Sequence, residues 1–188
     1  MVKHFEKIEQ LVASLDLKTQ LFLDKIEKTK FFNKGDILLS AGSVCRKSFH
    51  VRSGIVRKYY IQNGKEITTD FCFEDDIALA YTSYTFQQPS TEFIDCLTDV
   101  KVSITHREQW EAAKKRFPRL LELDLLLTEI HAGALEEDLL DLRTLTATER
   151  YEKLLTQAPE LLQHIKLTHI ASYLNISLET LSRIRAKF

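Results

Sequence analysis

The sequence predicts an α+β protein with helices at both ends and a β-rich region between them. Apolar residues recur at helical spacing before residue 28, short alternating runs fill the stretch from Phe31 to about His106, and helical spacing then returns. Four of the five glycines lie in the middle stretch, where they mark turns between strands. Many short strands separated by regular turns favour a β-sandwich or barrel.

Composition places the chain among ordinary globular proteins, with 188 residues, 44% of them hydrophobic and 28% charged. The net charge is −1, so any binding to nucleic acid must come from a local basic patch. No apolar run reaches the ~18 residues that a membrane helix needs. The amphipathic start, MVKHFEKIEQLVASL, lacks the continuous apolar stretch of a signal peptide. A cytoplasmic location without a membrane partner is the resulting expectation.

The sequence holds no pattern typical of a catalytic or metal site. The three cysteines, Cys45, Cys72 and Cys96, are scattered and form no CxxC pair, so we expect small buried residues in strands and no disulfide framework. No nucleophile elbow, phosphate loop or metal-spaced His/Cys group occurs. We therefore predict no catalytic residue and no metal, and the sequence identifies no cofactor.

Local signals place several elements. The pattern of residues 4–28 predicts helix, and Asn63-Gly64 between VRKYYI and KEITTDF predicts a β-hairpin. REQWEAAKKRF predicts a short helix that ends before Pro118. Beyond His106 the chain is expected to be helical to its end.

A long helix is predicted from residue 118 to residue 142. One of its faces carries Leu120, Leu123, Leu127, Ile130 and Ala134. Further leucines fill the neighbouring faces: Leu121, Leu125, Leu126, Leu135 and Leu139. Packing on the chain's own sheet alone does not account for apolar residues on more than one side. Two apolar faces favour a helix that also packs on a second copy, and hence a homodimer.

Residues 167–186 predict two helices joined by a tight turn, a helix-turn-helix. Thr168 is expected to cap the first helix and Ser177 the second, while Asn175 tolerates the left-handed turn between them. The positions expected to face each other are apolar: Ile170, Leu174, Ile176, Leu181 and Ile184. Upstream, Thr146 and Glu149 have the spacing of a capping box.

The second helix is expected to span residues 178–188. Once Leu181 and Ile184 are buried, its outward face presents Glu179, Ser182 and Arg183. In a DNA major groove, Arg can donate a bidentate pair to guanine and Glu can accept from cytosine. The surrounding residues expected to contact phosphates are Lys166, Thr168, His169, Arg185 and Lys187. Residues 165–188 hold four basic residues and one acidic residue, a local charge of +3. The segment therefore predicts binding to double-stranded DNA.

The order of these elements, with IASYLNISLETLSRI at 170–184 and KGDILLSAG…VRSGIVRKYY…GKE, resembles the family of the cyclic-AMP receptor protein and FNR. The resemblance implies a double-stranded β-helix (a cyclic-nucleotide-binding-like β-roll), a dimerisation helix and a winged-helix-like helix-turn-helix. The implied domains are residues 1–117, 118–142 and 143–188. The implied function is sequence-specific transcription regulation, which makes RNA polymerase a candidate partner.

The family's signature Ser-x-Glu-Thr-x-x-Arg matches Ser177, Glu179, Thr180 and Arg183. The resemblance therefore implies base reading by Glu179 and Arg183, with Thr180 among the phosphate contacts. Many members carry Arg where this chain has Leu178, which puts the usual DNA consensus in doubt. Leu178 either contacts a thymine methyl group or packs. Members commonly continue into a strand pair after this helix, so we expect a minimal reading head without a full wing.

The effector site departs further from the family pattern. Cyclic-nucleotide binders carry a loop similar to F-G-E-[LIV]-A and a later P-R-[AST]-A. In residues 73–94, Asp75 and Asp76 stand in the Gly and Glu places, Ser90 replaces the Arg, and Thr91 keeps a hydroxyl. A phosphate beside two carboxylates is uncompensated, so cyclic AMP is not expected in the usual mode. The candidate pocket residues are Asp76, Ile77, Tyr81, Thr82, Ser83, Ser90 and Thr91.

These candidates suit an unknown small effector that is neutral or cationic, or no ligand at all. The alternative to a DNA-binding regulator is a ligand-binding β-roll module whose helix-turn-helix is vestigial or contacts protein. Salt-sensitive binding to DNA distinguishes the two hypotheses.

Overall fold

The computed structural model describes residues 5–159 and 161–188. The helices are α1 (Phe5–Ala13), α2 (Leu17–Ile26), α3 (Tyr81–Phe86), α4 (Arg107–Arg116), α5 (Arg119–Thr144), α6 (Ala147–Gln157), α7 (Leu161–His164), α8 (Leu167–Tyr173) and α9 (Leu178–Arg185). The strands are β1 (Lys28–Phe32), β2 (Ile37–Leu39), β3 (Lys47–Ser53), β4 (Val56–Gln62), β5 (Lys65–Cys72), β6 (Ile77–Ala78), β7 (Phe93–Cys96) and β8 (Val100–His106). None of these helices combines the length and hydrophobicity that a membrane span requires.

The N-terminal helical pattern forms two helices where one stretch was predicted from residue 4 to residue 28. Asp16 separates them, because its carboxylate accepts hydrogen bonds from the Lys18 and Thr19 N–H groups and so starts a second helix. Position 4, where the predicted helix begins, lies outside the described residues. The helical spacing of apolar residues predicted the buried face of this segment. It did not predict the break between α1 and α2, which the Asp16 side chain causes.

The β-rich region is a roll of two antiparallel four-stranded sheets, as predicted. The strand orders are β1-β8-β3-β6 and β2-β7-β4-β5. The core between them includes Val51, Val56, Ile94 and Val102, each exposed by 0%. All three cysteines are free and buried. Cys72 and Cys96 lie in strands as predicted, whereas Cys45 lies in the loop before β3.

The hairpin between β4 and β5 turns at the predicted residues. Asn63 and Gly64 both have positive φ, 52° and 74°, as a tight hairpin of this type requires. Pairing runs regularly from the turn to Tyr59, which lies opposite Thr68. A bulge then shifts the register, so that the next pair is Lys58 with Asp70. This bulge decides which side chain faces Lys58.

The helix α5 packs its N-terminal half on its own chain. Pro118 occupies its N-cap, close to the predicted start. Leu120 and Leu123 are 0% and 5% exposed, and they share a core cluster with Leu15 and Ile26 of the N-terminal segment. The leucines on the opposite side are largely exposed: Leu121, Leu125, Leu135, Leu139, Leu140 and Leu142. The helix therefore has one covered apolar face and one open apolar face.

The helices α6 to α9 form the C-terminal head. Its first helix begins with the predicted capping box, in which the Thr146 N–H donates to Glu149 at 2.7 Å and the Glu149 N–H donates back at 3.3 Å. The head shares its hydrophobic core with the roll. Ile55, Phe71 and Leu97 of the roll belong to the same buried cluster as the head's apolar residues.

Candidate nucleic-acid interface and effector cavity

The turn between α8 and α9 has the geometry that its sequence predicts. Asn175 adopts the left-handed conformation, with φ of 53°. The Ile176 N–H donates to the Ala171 carbonyl at 3.0 Å, which closes the turn. Ser177 starts α9, because its hydroxyl oxygen accepts a hydrogen bond from the Thr180 N–H at 3.1 Å. The predicted turn and the second cap are confirmed.

The cap predicted for α8 is wrong. Lys166, and not Thr168, occupies the N-cap position, and no side chain caps this helix. The helix is held by packing, since Ile170 and Ala171 are 0% and 3% exposed. Tertiary contacts at this end therefore replace the local hydrogen bond that the sequence suggested.

The helix α9 has one buried and one exposed side. Leu181 and Ile184 are 0% and 5% exposed and anchor it in the head. All four candidate base-reading residues are exposed: Leu178, Glu179, Ser182 and Arg183. Because these positions fall one helical turn apart in pairs, they lie on one side of α9. The structure thus brings the predicted reading residues together on a solvent-facing surface.

One hydrogen-bond acceptor, Glu179, and one donor, Arg183, lie one helical turn apart on this surface. Glu179 accepts from its own backbone N–H at the start of α9 and, secondly, from the Ser177 hydroxyl, and these hydrogen bonds lower the pKa of its carboxyl. It is therefore ionised, and an acceptor only, at neutral pH. Arg183 lies one turn later, and its Nη2 donates to the Thr180 hydroxyl at 3.3 Å. An anionic acceptor beside a guanidinium fork suits cytosine and guanine edges.

Four of the six candidate phosphate contacts are exposed around this surface: Lys166, Thr168, Arg185 and Lys187. Thr180 is half-buried and serves the α9 cap. His169 points elsewhere, because its Nε2 lies 3.7 Å from a carboxylate oxygen of Glu66 in the roll. Burial, followed by the nearby Arg57 charge, lowers the pKa of His169, so its imidazole is neutral at pH 7. This residue lies apart from the other phosphate candidates.

Sequence reasoning missed the contact that holds the head on the roll. Strand β5 is an edge strand, and its Thr68 N–H donates to the Ser172 hydroxyl of α8 at 2.9 Å. The same hydroxyl donates to the Glu66 carbonyl at 3.2 Å. Beside it, the rings of Phe71 and Tyr173 lie 5.1 Å apart. One side chain of α8 thus satisfies two backbone groups that an edge strand leaves open.

A cavity of about 610 Å³ lies beside this contact, within the range of small-molecule sites. Its walls come from β4, β5, α3, α5 and the head. Three candidate effector residues line it, namely Asp76, Ile77 and Tyr81. The other four line a separate cavity of about 80 Å³: Thr82, Ser83, Ser90 and Thr91. The predicted pocket is therefore divided between two spaces.

The smaller cavity is too small for a nucleotide, and two of its hydroxyls already serve the fold. Ser83 accepts from the Cys45 N–H at 2.8 Å and donates to the Gln88 carbonyl. Ser90 accepts from the Glu92 N–H and donates to the Glu92 carbonyl, both at 3.0 Å. These hydrogen bonds fix the loop after α3.

The larger cavity contains a buried lysine that sequence reasoning did not single out. Lys58 is 8% exposed, and its ammonium lies 3.8 Å from Asp70 and 3.9 Å from Glu92. The Asp70 side chain remains accessible from the cavity, but enclosure by protein raises its pKa to about 6, against the opposing effect of Lys58. Both carboxylates stand beyond normal hydrogen-bond distance from the ammonium.

The long helix contributes an imidazole to the same cavity. His131 of α5 stacks on Tyr81 of α3, with ring centroids 4.0 Å apart and planes inclined by 9°. Burial, and secondarily the Lys58 charge, lowers the pKa of His131 to about 4. A neutral aromatic pair therefore joins the roll to α5 at this point.

Several solved structures share this architecture. A protein from Eubacterium rectale assigned to the Crp/Fnr family of transcriptional regulators has a TM-score of 0.72 at 19% identity, over 95% of this chain and 85% of that one. A CooA mutant from Carboxydothermus hydrogenoformans has 0.69 at 19% identity, over 94% and 82%. The c-di-GMP-responsive global regulator CLP of Xanthomonas campestris has 0.69 at 14% identity, over 92% and 91%.

The chain has the Crp/Fnr fold. No protein-family model and no curated protein sequence matches it. Two of the three neighbours above are described as regulators of transcription or gene expression. Among residues 5–159 and 161–188, no group of three or more His, Cys, Asp or Glu side chains is arranged to hold a metal ion.

Within this Crp/Fnr fold, the adjacent carboxylates Asp75 and Asp76 close the turn between β5 and β6. Asp75 has a φ of 69°, and the Asp76 carboxylate accepts from the Phe73 N–H at 2.8 Å. Both residues line the large cavity, and Asp75 also approaches His50 at 3.7 Å.

Proposed function

We propose that the chain is a sequence-specific DNA-binding transcription regulator of the Crp/Fnr type, which reads DNA as a dimer through α9. The observation that carries the proposal is the exposed side of α9, where Glu179, Ser182 and Arg183 stand on a helix anchored by Leu181 and Ile184. A polar face on a capped, well-anchored helix beside a basic surface is what the major groove accommodates. The Crp/Fnr fold supports the same conclusion.

Binding to DNA is expected to depend on salt through the exposed basic residues. Lys166→Ala should lower the affinity for all sequences roughly evenly, because an ammonium contacts phosphate and not a base edge. The slope of log K against log salt should fall by about 1. Fluorescence anisotropy with a selected duplex and a scrambled duplex measures both quantities. Lys115→Ala, at the end of α4, is the matched control and should change neither.

The alternative is a ligand-binding roll whose helix-turn-helix contacts protein. The observation that favours it is the packing of His169 and Ser172 on the roll, because α8 makes a protein contact within the chain. Binding to DNA that is absent even at low salt would support this alternative. Salt-sensitive binding by the intact chain supports the regulator.

We further propose that the open apolar face of α5 binds a second copy of the chain. Leu120 and Leu123 are used internally, so contact with the second copy falls to the exposed leucines from Leu121 to Leu142. Six exposed leucines on one helix form a larger apolar surface than scattered single residues do. The domain division into residues 1–117, 118–142 and 143–188 follows this scheme, with RNA polymerase as a candidate partner at promoters.

Leu139→Glu should convert the dimer into a folded monomer. Leu139 is 49% exposed in the single chain, so a carboxylate there is tolerated by the monomer but is buried unpaired between two copies. The dimer dissociation constant should rise more than about 100-fold, from the 3–5 kcal/mol cost of a buried unpaired charge. Sedimentation velocity measures it. Leu21→Glu, at a position 58% exposed on α2, serves as the control.

A dimer that persists in the Leu139→Glu variant with unchanged affinity would place the interface on another surface.

A further inference from the structure

The large cavity is enclosed in part by the DNA-reading head itself. Lys58, Asp70 and Glu92 come from the roll, and His131 comes from α5. The head supplies further lining residues, including Leu154, Leu161 and Tyr173. A molecule that spans this cavity contacts all three parts of the chain. Its binding energy depends directly on where the head sits.

The charge of the lining argues against an anionic ligand. Seven carboxylates line the cavity, among them Asp70, Glu92 and Asp138, against the ammonium groups of Lys7, Lys58 and Lys153. The carboxylates exceed the ammonium groups by four negative charges. The imidazole of His131 adds no charge, because it is neutral at pH 7. Enclosure strengthens these interactions relative to open water. A phosphate or carboxylate ligand is repelled, and a cation is attracted.

The lining also offers aromatic faces. Five aromatic side chains contribute to the walls: Tyr60, Phe71, Phe73, Tyr81 and Tyr173. Organic cations bind to such faces because the ring quadrupole attracts positive charge, by about 0.5–2 kcal/mol per contact. Aliphatic residues of α5 complete the wall, including Leu127 and Ile130. The apolar share of the lining favours a ligand with a flat hydrophobic body.

The polar end of the cavity has unused hydrogen-bonding capacity. Lys58 is nine-tenths buried, and among the described residues its ammonium has two long contacts, to Asp70 at 3.8 Å and to Glu92 at 3.9 Å. One ammonium can neutralise only one of these two carboxylates. A second cationic group between them satisfies the remaining charge at hydrogen-bond distance.

We propose that this cavity binds a small aromatic amine, with its ammonium between Asp70 and Glu92 and its ring against Tyr81 and Tyr173. The proposal rests on the proposed function in one respect, since the cavity is taken to be the effector site of the regulator. The ligand bridges the roll and the head, so its binding stabilises the docked position of the head that the structure shows.

The charge class is tested with two compounds that share one ring system. Isothermal titration of the full chain with tryptamine, the cation, should give a dissociation constant below about 1 mM. Indole-3-acetate, the anion, should bind at least about 10-fold more weakly, and cyclic AMP should not bind measurably. Equal binding of the two indoles, or no binding of tryptamine at millimolar concentration, overturns the proposal.

The location is tested with variants of the same chain. Asp70→Asn should weaken tryptamine binding about 10-fold, while Glu122→Gln on the exposed part of α5 outside the cavity should not change it. Ser172→Ala, which loosens the head from β5, should also weaken tryptamine binding. If either Asp70→Asn or Ser172→Ala leaves the affinity for tryptamine unchanged, the proposed site between the roll, α5 and the head is wrong.

Binding to DNA separates this proposal from the proposed function. If the chain binds tryptamine but not DNA, the proposed regulatory function is wrong and the proposed ligand site is supported. DNA binding without tryptamine binding would do the reverse. When both occur, linkage requires that tryptamine change the affinity for DNA by the same factor by which DNA changes the affinity for tryptamine.

Discussion

Arg183→Ala is expected to remove most of the protein's discrimination between its own DNA site and unrelated DNA. The side chain is exposed on α9 one turn after Glu179, and it carries no structural contact other than its hydrogen bond to the Thr180 hydroxyl among those the described residues show. A bidentate contact from arginine to guanine contributes about 1–3 kcal/mol of discrimination. Loss of that contact should weaken binding to the selected site by roughly 10- to 100-fold, with little effect on random DNA.

The measurement is competition anisotropy with a duplex selected from a random pool, against a scrambled duplex of equal length. Lys187→Ala is the matched control, because Lys187 is exposed in the following turn and is proposed to contact phosphate only. It should lower both affinities together and leave their ratio unchanged. Thermal unfolding of each variant should match the parent. If Arg183→Ala keeps the parent's specificity ratio, the exposed side of α9 is not the reading surface.

Arg57→Met is expected to cost about 3–5 kcal/mol of unfolding free energy, the range found when one partner of a buried ion pair is removed. Arg57, the second residue of β4, is 2% exposed. Its Nε and Nη2 donate to the two oxygens of Asp95 at 3.0 and 2.7 Å, and its Nη1 donates to Glu66 at 2.7 Å. The guanidinium also lies 4.0 Å from the centre of the Tyr59 ring.

Among the described residues, Arg57 is the cation that pairs with the Asp95 carboxylate. The Asp95 side chain is 14% exposed, so without Arg57 a largely buried charge is uncompensated. Burial lowers the pKa of Arg57, but hydrogen bonds to Asp95 and Glu66 outweigh that effect and raise it. The guanidinium therefore stays charged at every pH at which the protein is folded. Methionine preserves the packing volume, which isolates the loss of charge.

Urea denaturation followed by circular dichroism measures the loss. Arg52→Met is the control, because Arg52 pairs with Glu27 at 2.9 Å where both side chains are about one-third exposed, at 37% and 32%. Such surface pairs contribute about 0–1 kcal/mol. The double variant Arg57→Met/Asp95→Leu should recover much of the lost stability, since neither charge then remains buried. If Arg57→Met lowers the free energy of unfolding no more than Arg52→Met does, the Arg57–Asp95 pair does not stabilise the fold as expected.

The C-terminal head was the most predictable part of the molecule. Its turn depends on one residue that tolerates positive φ, Asn175, and on one hydroxyl that caps the next helix, Ser177. Both requirements are met by neighbours along the chain, so sequence spacing reveals them. The same holds for the Asn63-Gly64 hairpin. Local geometry of this kind needs no knowledge of the rest of the fold.

Faces of helices were less predictable, because an apolar stripe shows what must be covered but not what covers it. The stripe with Leu120 and Leu123 was expected to belong to the long dimerisation helix, yet these two residues pack on the N-terminal helices. The cap expected at Thr168 failed for a related reason. Burial of Ile170 stabilises α8. The neighbouring residues in the sequence do not reveal such a tertiary contact.

The large cavity was decided only by tertiary structure. Regular pairing from the hairpin turn would place Thr69 opposite Lys58, but the bulge places Asp70 there. Glu92 then approaches from the start of β7, and the head closes the space through Ser172, which lies 104 residues from its partner Thr68. The sequence by itself determined the order of elements, the hairpin, the caps at Thr146 and Ser177 and the polar face of α9, because each depends on a few adjacent residues. Register and packing determined the cavity, since one extra residue in a strand changes which side chains meet.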